Sequence, residues 1–267
     1  MSCAAATSLL FVPGSRSDRF ARAAASGADV VVHDLEDAVA PEGKAEAREQ
    51  VRSWLAGEGR GAVRINGAGT PWYDEDVAAV AALECPVMLP KAERPEQVAA
   101  LVGRLAPGTP VLPLIETAAG IANAVAICGV AGVVRPAFGS VDLATQLGVD
   151  HEDRAALRYA RSALVVAAHA AGVAAPVDGV TTAVRDGARL AADCAEALAL
   201  GLPAKLCIHP DQIPAVRDAF RPTDEQLRWA RAVVDAASAG AVAVLDGALV
   251  DRPVVERARA LLARAEG

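Results

Sequence analysis

Two carboxylates, Glu116 and Asp142, are the residues whose type and spacing most directly suggest chemistry. They lie 26 positions apart, and each follows an apolar run that reads as a β-strand, Val111–Ile115 and Gly132–Phe138. Carboxylates that meet at one edge of a sheet repel each other unless a proton or a cation lies between them. Oxygen ligands without Cys or His favour Mg²⁺ over zinc. The spacing therefore predicts a magnesium site, and stabilisation of two helix N-termini is the alternative role.

Three more acidic residues, Asp34, Glu36 and Asp37, follow the apolar run Val30–Val32. Side chains alternate in extended chain, so Asp34 and Glu36 are expected on one face. His33 then points the opposite way and is given no role. The acidic residues either hold water near a metal or cap the helix that begins near Pro41.

Cations stand in two other apolar runs, Arg64 in AVRIN and Lys91 after VMLP. A charge in such a setting needs a partner, because the desolvation of an unpaired ion is costly. Arg64 either binds a substrate carboxylate through two parallel hydrogen bonds or pairs with a carboxylate of the neighbouring strand. Lys91 has the same two alternatives. His209 before Pro210 is an acid–base candidate or a helix cap.

Strands alternate with helices along the chain, which indicates βαβ units and a parallel sheet. Eight strands favour a closed (β/α)8 TIM barrel, whose strand ends would place all these polar residues on one rim. An open doubly wound sheet is the alternative, but GxGxxG is missing after the first strand. The predicted strands are Leu9–Pro13, Asp29–Asp34, Ala62–Asn66, Pro86–Pro90, Val111–Ile115, Gly132–Phe138, Ala174–Val177 and Ala204–Ile208.

The character of the sequence changes after Phe220. A helix, Asp224–Ala239, is expected there, then a small hairpin or loop turning at Asp246-Gly247, and a last helix, Pro253–Ala265. These elements exceed what an eight-stranded barrel needs. The prediction is a catalytic barrel over residues 1–222 and a lid or oligomerisation segment over residues 223–267.

Bulk composition excludes several classes of protein. The 267 residues are 53% hydrophobic and carry a formal charge of -7, so a large core is expected and binding to nucleic acid is not. Five cysteines without CxxC spacing argue against disulfides or zinc and favour the cytoplasm. No run is convincing as a membrane span.

Eight motifs follow one another between about Leu9 and Ala260: LLFVPGSR, VVVHDLEDAV, VRIN, VMLPKAE, PLIETAAGI, AFGSVDLA, KLCIHPDQI and LDGALVDRP. Together they resemble the citrate lyase beta-subunit-like group of the aldolase/citrate lyase family, whose relatives include malyl-CoA and citramalyl-CoA lyases. The resemblance implies a TIM barrel with a C-terminal helical lid, assembled as a homotrimer or hexamer. It also implies Mg²⁺ held directly by Glu116 and Asp142, with Glu36, Asp37 and Lys91 around that site.

The same resemblance implies the roles of three more residues. Arg64 is similar to the substrate-binding arginine, and Asp251 in LVDRP is similar to an acid–base residue that reaches the site of a neighbouring subunit. Arg16 after FVPG is placed to hold the phosphates of a thioester. The chain departs from the pattern at His33, where an apolar residue is usual, and at Ala204, where Gly is usual.

The function implied is a reversible, magnesium-dependent Claisen-type cleavage. A 3-hydroxy-acid thioester such as malyl-CoA, citramalyl-CoA or a citryl thioester would give an acyl-CoA and a 2-keto acid. Two alternatives stay open: a malyl-CoA-type thioester hydrolase, and a citryl-carrier-protein lyase subunit that needs partner subunits.

Overall fold

The computed structural model describes residues 2–238, 243–245 and 248–266. The chain forms two compact units, Met1–Ala219 and Phe220–Gly267. In the first unit eight parallel strands close into a barrel in chain order, which confirms the predicted TIM barrel. The strands are β1 Ser8–Pro13, β2 Val30–Asp34, β3 Ala62–Arg64, β4 Val87–Leu89, β5 Val111–Ile115, β6 Ala137–Phe138, β7 Val177–Asp178 and β8 Ala204–Cys207.

At least one helix follows each barrel strand, and these helices cover the barrel. They are α1 Phe20–Ala24, α2 Lys44–Ala56, α3 Tyr73–Ala81, α4 Pro95–Val102, α5 Ala118–Ala122, α6 Ala124–Cys128, α7 Ser140–Leu147, α8 Arg154–Ala171, α9 Gly187–Leu200 and α10 Ile213–Phe220. Three short 3₁₀ turns, Ser17–Arg19, Pro41–Gly43 and Pro210–Gln212, precede α1, α2 and α10.

Alternation along the strands fills the barrel and then places charge at its rim. Alternate residues that point into the barrel, such as Val30 and Val32 on β2 and Leu112 and Leu114 on β5, pack in one apolar cluster. A period of two continues these rows to Asp34, to Arg64 after Ala62, and to Glu116. Apolar packing below therefore sets the position of the charged residues above it.

The predicted strand Gly132–Phe138 was too long. Only Ala137–Phe138 forms β6, while Val133 makes an isolated bridge to Val111. Arg135 interrupts the strand because its guanidinium turns into the barrel and donates to the backbone carbonyls of Ala6 and Ala175. Those carbonyls precede β1 and β7, so Arg135 secures the N-terminal segment across the end of the barrel opposite the charged rim.

The segment between β5 and β6 forms two short helices, α5 and α6. Asn123 ends the first helix and begins the second. Its side-chain amide donates to the Glu93 carbonyl at 2.8 Å, a contact with the preceding βα loop. A tertiary hydrogen bond thus interrupts a segment that otherwise favours one helix.

The second unit contains two helices and a hairpin. Helix α11 spans Asp224–Ser238, strands β9 Ala243–Leu245 and β10 Ala248–Val250 pair antiparallel, and α12 spans Arg252–Glu266. Ala230, Val233, Val250 and Ala258 form its buried core. The predicted turn residues Asp246 and Gly247 lie outside the described residues, and the lid role of this unit stays a prediction.

Candidate functional site

A cavity of about 400 Å³ opens among the C-terminal ends of the barrel strands. Apolar side chains line part of it, and charged groups line the rest. Its walls include Phe11, Pro13, Asp34, Asp37, Ala38, Arg64, Leu114, Glu116, Phe138, Gly139, Ser140, Val141, Asp142, Val180, Leu206 and Ile208.

Arg64 forms a two-point ion pair across the β2–β3 boundary. Asp34 and Arg64 are register partners, and the Arg64 Nε and Nη2 atoms each donate to Asp34 at 2.7 Å. The remaining Nη1 lies 3.1 Å from Glu36 Oε2 and 3.8 Å from Asp37 Oδ2. Burial alone lowers the pKa of Arg64, but Asp34, Glu36 and Asp37 outweigh it and raise that pKa. The neighbouring-strand ion pair is present, and Arg64 lines the cavity.

The acidic loop after β2 is held from below by groups that the sequence did not single out. Buried Lys44, at the start of α2, donates to the carbonyls of Leu35 at 2.7 Å and Glu36 at 2.6 Å. Asn66 donates to the same Leu35 carbonyl at 2.9 Å. Lys44 gave no sequence signal, because a lysine in the first turn of a helix usually points to solvent.

Lys91 lies among carboxylates of two segments, the loop after β2 and the first turn of α7. Its ammonium is 2.6 Å from Glu36 Oε1, 3.4 Å from Asp142 Oδ2 and 4.0 Å from Asp37 Oδ1. Burial lowers the pKa of Lys91, but Glu36 and the other carboxylates outweigh it and raise that pKa. Of the alternatives left open for Lys91, the structure contains the ion pair.

Glu116 is the most perturbed carboxyl group at the cavity. It is 3% exposed, and its Oε1 accepts the Lys91 backbone N–H at 2.8 Å. Burial, followed by the charges of Glu36 and Asp142, raises the pKa of Glu116 to about 8. Gly139 makes room for it, because a Cβ there would collide with the Glu116 side chain.

The donor set fits a hard divalent cation. Five carboxylates, Asp34, Glu36, Asp37, Glu116 and Asp142, face two cations, Arg64 and Lys91, which leaves a formal charge of -3 with every group ionised. Within the described residues no group of three or more His, Cys, Asp and Glu side chains is arranged around a common centre. Two carboxylates would thus leave most coordination positions to water and substrate, as Mg²⁺ usually does.

Three other residues named from the sequence have local hydrogen-bond partners. Arg16 pairs with exposed Asp18, with its Nε and Nη2 at 2.8 Å and 2.7 Å from the carboxylate. His209 caps the turn Pro210–Gln212, and its Nδ1 accepts the Asp211 backbone N–H at 3.2 Å. In the second unit Asp251 caps α12, since its Oδ1 accepts from the Val254 backbone at 3.2 Å.

Asp178 at the end of β7 faces the helix layer and not the cavity. It is fully buried and contacts Lys205 Nζ at 2.9 Å and Arg161 Nε at 2.7 Å. Ala204, where Gly is usual in the family pattern, pairs with Val177 and lies in the barrel core without a positive φ.

A smaller cavity of about 240 Å³ lies beside β1 and shares Phe11, Pro13 and Ile208 with the larger one. Two arginines that the sequence reading missed, Arg19 and Arg22, line it. They lie on the first βα connection, and their spacing of three in a helical segment was the available signal.

Residues 7–210 match the HpcH/HpaI aldolase/citrate lyase family. The chain belongs to this family. A citrate lyase subunit beta-like protein of Mycobacterium tuberculosis is 40% identical over 98% of this chain and 96% of its own length. A (3S)-malyl-CoA thioesterase of Cereibacter sphaeroides is 35% identical over 97% of this chain and 94% of its own.

A solved member of the HpcH/HpaI family has nearly the same fold. The crystal structure of CitE from Mycobacterium tuberculosis, in complex with magnesium, acetoacetate and coenzyme A, has 39% sequence identity and a TM-score of 0.87. The similarity covers 99% of this chain and 100% of that one. The family resemblance predicted from the eight motifs is therefore confirmed.

Proposed function

We propose that this chain is a Mg²⁺-dependent carbon–carbon lyase that reversibly cleaves a 3-hydroxy-acid thioester into an acyl-CoA and a 2-keto acid. The observation that carries the proposal is one cavity that is lined by Glu116, Asp142 and Arg64. The CitE complex with magnesium, acetoacetate and coenzyme A supports the same three ligand classes here.

In this proposal Glu116 and Asp142 hold the metal, and Glu36 and Asp37 orient water around it. Bound Mg²⁺ supplies Lewis-acid polarisation of the oxygens of the acid portion. Arg64, whose other edge is fixed by Asp34, offers Nη1 to the carboxylate of that portion. Because Asp34 holds the guanidinium, little reorganisation is needed when negative charge develops.

Cleavage conserves protons and electrons. The hydroxyl group releases its proton to solvent, and the electron pair of its O–H bond forms the keto C=O bond. The carbon–carbon bond breaks, and its electron pair passes to the carbon next to the thioester. Asp251, reaching the site from a neighbouring copy, returns one proton to that carbon, and it removes one in the condensation direction. This role, the cytoplasmic location and the trimeric or hexameric assembly stay predictions.

The thioester group requires a second contact region. We place its phosphates near the smaller cavity, where Arg19 and Arg22 supply positive charge beside the shared residues Phe11 and Ile208. Arg16 is a weaker candidate, because Asp18 already occupies its guanidinium.

The decisive experiment incubates the purified chain with malyl-, citramalyl- and citryl-CoA, with and without Mg²⁺, and identifies both products by mass spectrometry. We expect an acyl-CoA and a keto acid, formed only with the metal. Glu116→Gln and Asp142→Asn are the matched inactive variants, and Glu49→Gln on the exposed face of α2 is the active control.

A thioester hydrolase is the second candidate, favoured by the similarity to the malyl-CoA thioesterase. Free CoA together with the intact hydroxy acid would establish it and reject the lyase. Inactivity of the pure chain on every CoA thioester, followed by activity once a carrier-protein partner is added, would instead support a subunit of a larger lyase.

A further inference from the structure

Lysine is rare in this chain and is confined to functional or buried positions. The sequence has three lysines, Lys44, Lys91 and Lys205, and its other basic side chains are arginines or histidines. Lys44 and Lys205 are 5% and 1% exposed, whereas the Lys91 side chain is 45% exposed. Lys91 is thus the one lysine that solvent and the site's ligands can both reach.

The backbone at Lys91 is as unusual as its side chain. Its φ is +49°, the one positive value at a non-glycine among the described residues. A residue with a Cβ adopts this left-handed region at a cost in free energy, so such a residue often marks a functional site. Here the conformation lets one residue contact two carboxylates, through its backbone N–H to Glu116 and its ammonium to Glu36.

The ammonium occupies the region where the proposed metal would reside. It is 3.4 Å from Asp142, one of the two proposed ligands, and the same residue's N–H is 2.8 Å from Glu116, the other. Neither proposed ligand has a salt bridge to another Lys or Arg in the described part of the chain. Lys91 alone therefore offsets the charge of Asp142 in this arrangement.

We propose that Lys91 is an internal counter-ion of the metal site, which neutralises Asp142 and Glu36 until a divalent cation arrives and then withdraws its ammonium. This inference rests on the proposed metal site. Two positive charges a few ångströms apart repel, so the metal and the ammonium compete for Asp142. Lys91 thereby keeps the metal-free carboxylates together and lowers the affinity of the site, so that the metal remains exchangeable.

Calorimetric titration with Mg²⁺ tests the competition directly. Lys91→Met and Lys91→Gly both remove the ammonium, and the glycine also accepts the positive φ, so the two variants separate charge from backbone strain. We expect both to bind Mg²⁺ about tenfold more tightly than the wild type. Lys91→Arg retains the charge and should bind like the wild type, as should Arg52→Met, which removes a cation from the outer face of α2.

Equal or weaker Mg²⁺ binding by both uncharged variants overturns the inference. No Mg²⁺ binding by the wild type rejects the proposed metal site itself, so the two failures are distinguishable. A gain confined to Lys91→Gly would assign the effect to backbone strain and also reject the counter-ion.

A second measurement uses only the wild-type chain and does not depend on variants folding. Reductive methylation at limiting reagent, followed by peptide mapping, reports the reactivity of each amine. We expect Mg²⁺ to raise the labelling rate of Lys91 severalfold, while buried Lys44 and Lys205 stay unlabelled and the N-terminal amine serves as reference. An unchanged or slower rate at Lys91 contradicts withdrawal of the ammonium.

Discussion

At the scale of single residues, Glu116 and Asp142 differ in how much the fold constrains them. Glu116 is buried, fixed by the Lys91 N–H and backed by Gly139, whereas the Asp142 side chain is 37% exposed in the first turn of α7. A buried, hydrogen-bonded ligand and a partly exposed ligand together suit a metal that must accept substrate oxygens during turnover.

Glu116→Gln and Asp142→Asn should each lower Mg²⁺-dependent turnover by at least about 100-fold, because Lewis-acid stabilisation contributes several kcal/mol. Each should also abolish the rise in melting temperature that Mg²⁺ gives to the wild type, which calorimetry measures. Turnover close to wild type in a chelator-treated variant would contradict these assignments.

His33 predicts a dependence of stability on pH that is separate from the metal site. It is fully buried, packs edge-on against Phe20 with ring centroids 4.7 Å apart, and neither ring nitrogen has a hydrogen-bond partner within the described residues. Burial lowers the pKa of His33 from 6.5 to about 4. The unfolded chain therefore takes up a proton before the folded chain does.

Stability from this residue is fully present above pH 6.5 and is lost as the pH falls toward 4, by about 3 kcal/mol. His33→Leu removes that part of the loss, so its unfolding free energy should fall less than that of the wild type over this interval. Urea titrations at pH 7 and pH 4.5 measure this difference. An equal fall in unfolding free energy for His33→Leu and the wild type would contradict the assignment.

At the scale of elements, the acidic loop after β2 depends on α2. Lys44→Met removes one of the two donors to each of the Leu35 and Glu36 carbonyls, which keep only the donors from Asn66 and the Val39 backbone. A hydrogen bond to a charged group contributes about 1.5–3 kcal/mol. We expect kcat to fall about tenfold, measured well below the melting temperature, with a smaller change in KM, because a displaced Glu36 alters positioning more than binding. Lys44→Arg should recover part of the loss; if it is no better than Lys44→Met, the hydrogen bonds are not the cause.

The periodicity of the sequence predicted where the site residues lie better than it predicted which side chains they contact. A row such as Leu112–Leu114 leads to Glu116, so the rim position of that residue follows from alternation. The pairing of Arg64 with Asp34 depends on strand register, which a single sequence leaves open. The left-handed backbone of Lys91 has no sequence signal, since nothing in VMLPKAE requires a positive φ there.

At the scale of the whole molecule, the proposed reaction needs a residue from the second unit. If Asp251 acts in the site of a neighbouring copy, two inactive variants can complement each other. Asp251→Asn and Glu116→Gln should each be inactive alone, and co-expressed mixed oligomers should regain part of the wild-type activity. Absence of recovery in oligomers shown by mass spectrometry to be mixed would place the acid–base residue elsewhere.

Across the part of the chain that the structure describes, no helix has the length and apolarity needed to cross a bilayer. Every one of the five cysteines is buried and unpaired by disulfides.

The position of Arg135 has a consequence for how ligands enter and leave the barrel. Because Arg135 ties the N-terminal segment across the far end, we expect ligands to enter and leave at the charged rim, where both described cavities lie. Under the proposed function, the small acid next to Glu116 sits deeper than the bulky nucleotide-bearing thioester. Departure must then be sequential, with the large product leaving before the small one can escape.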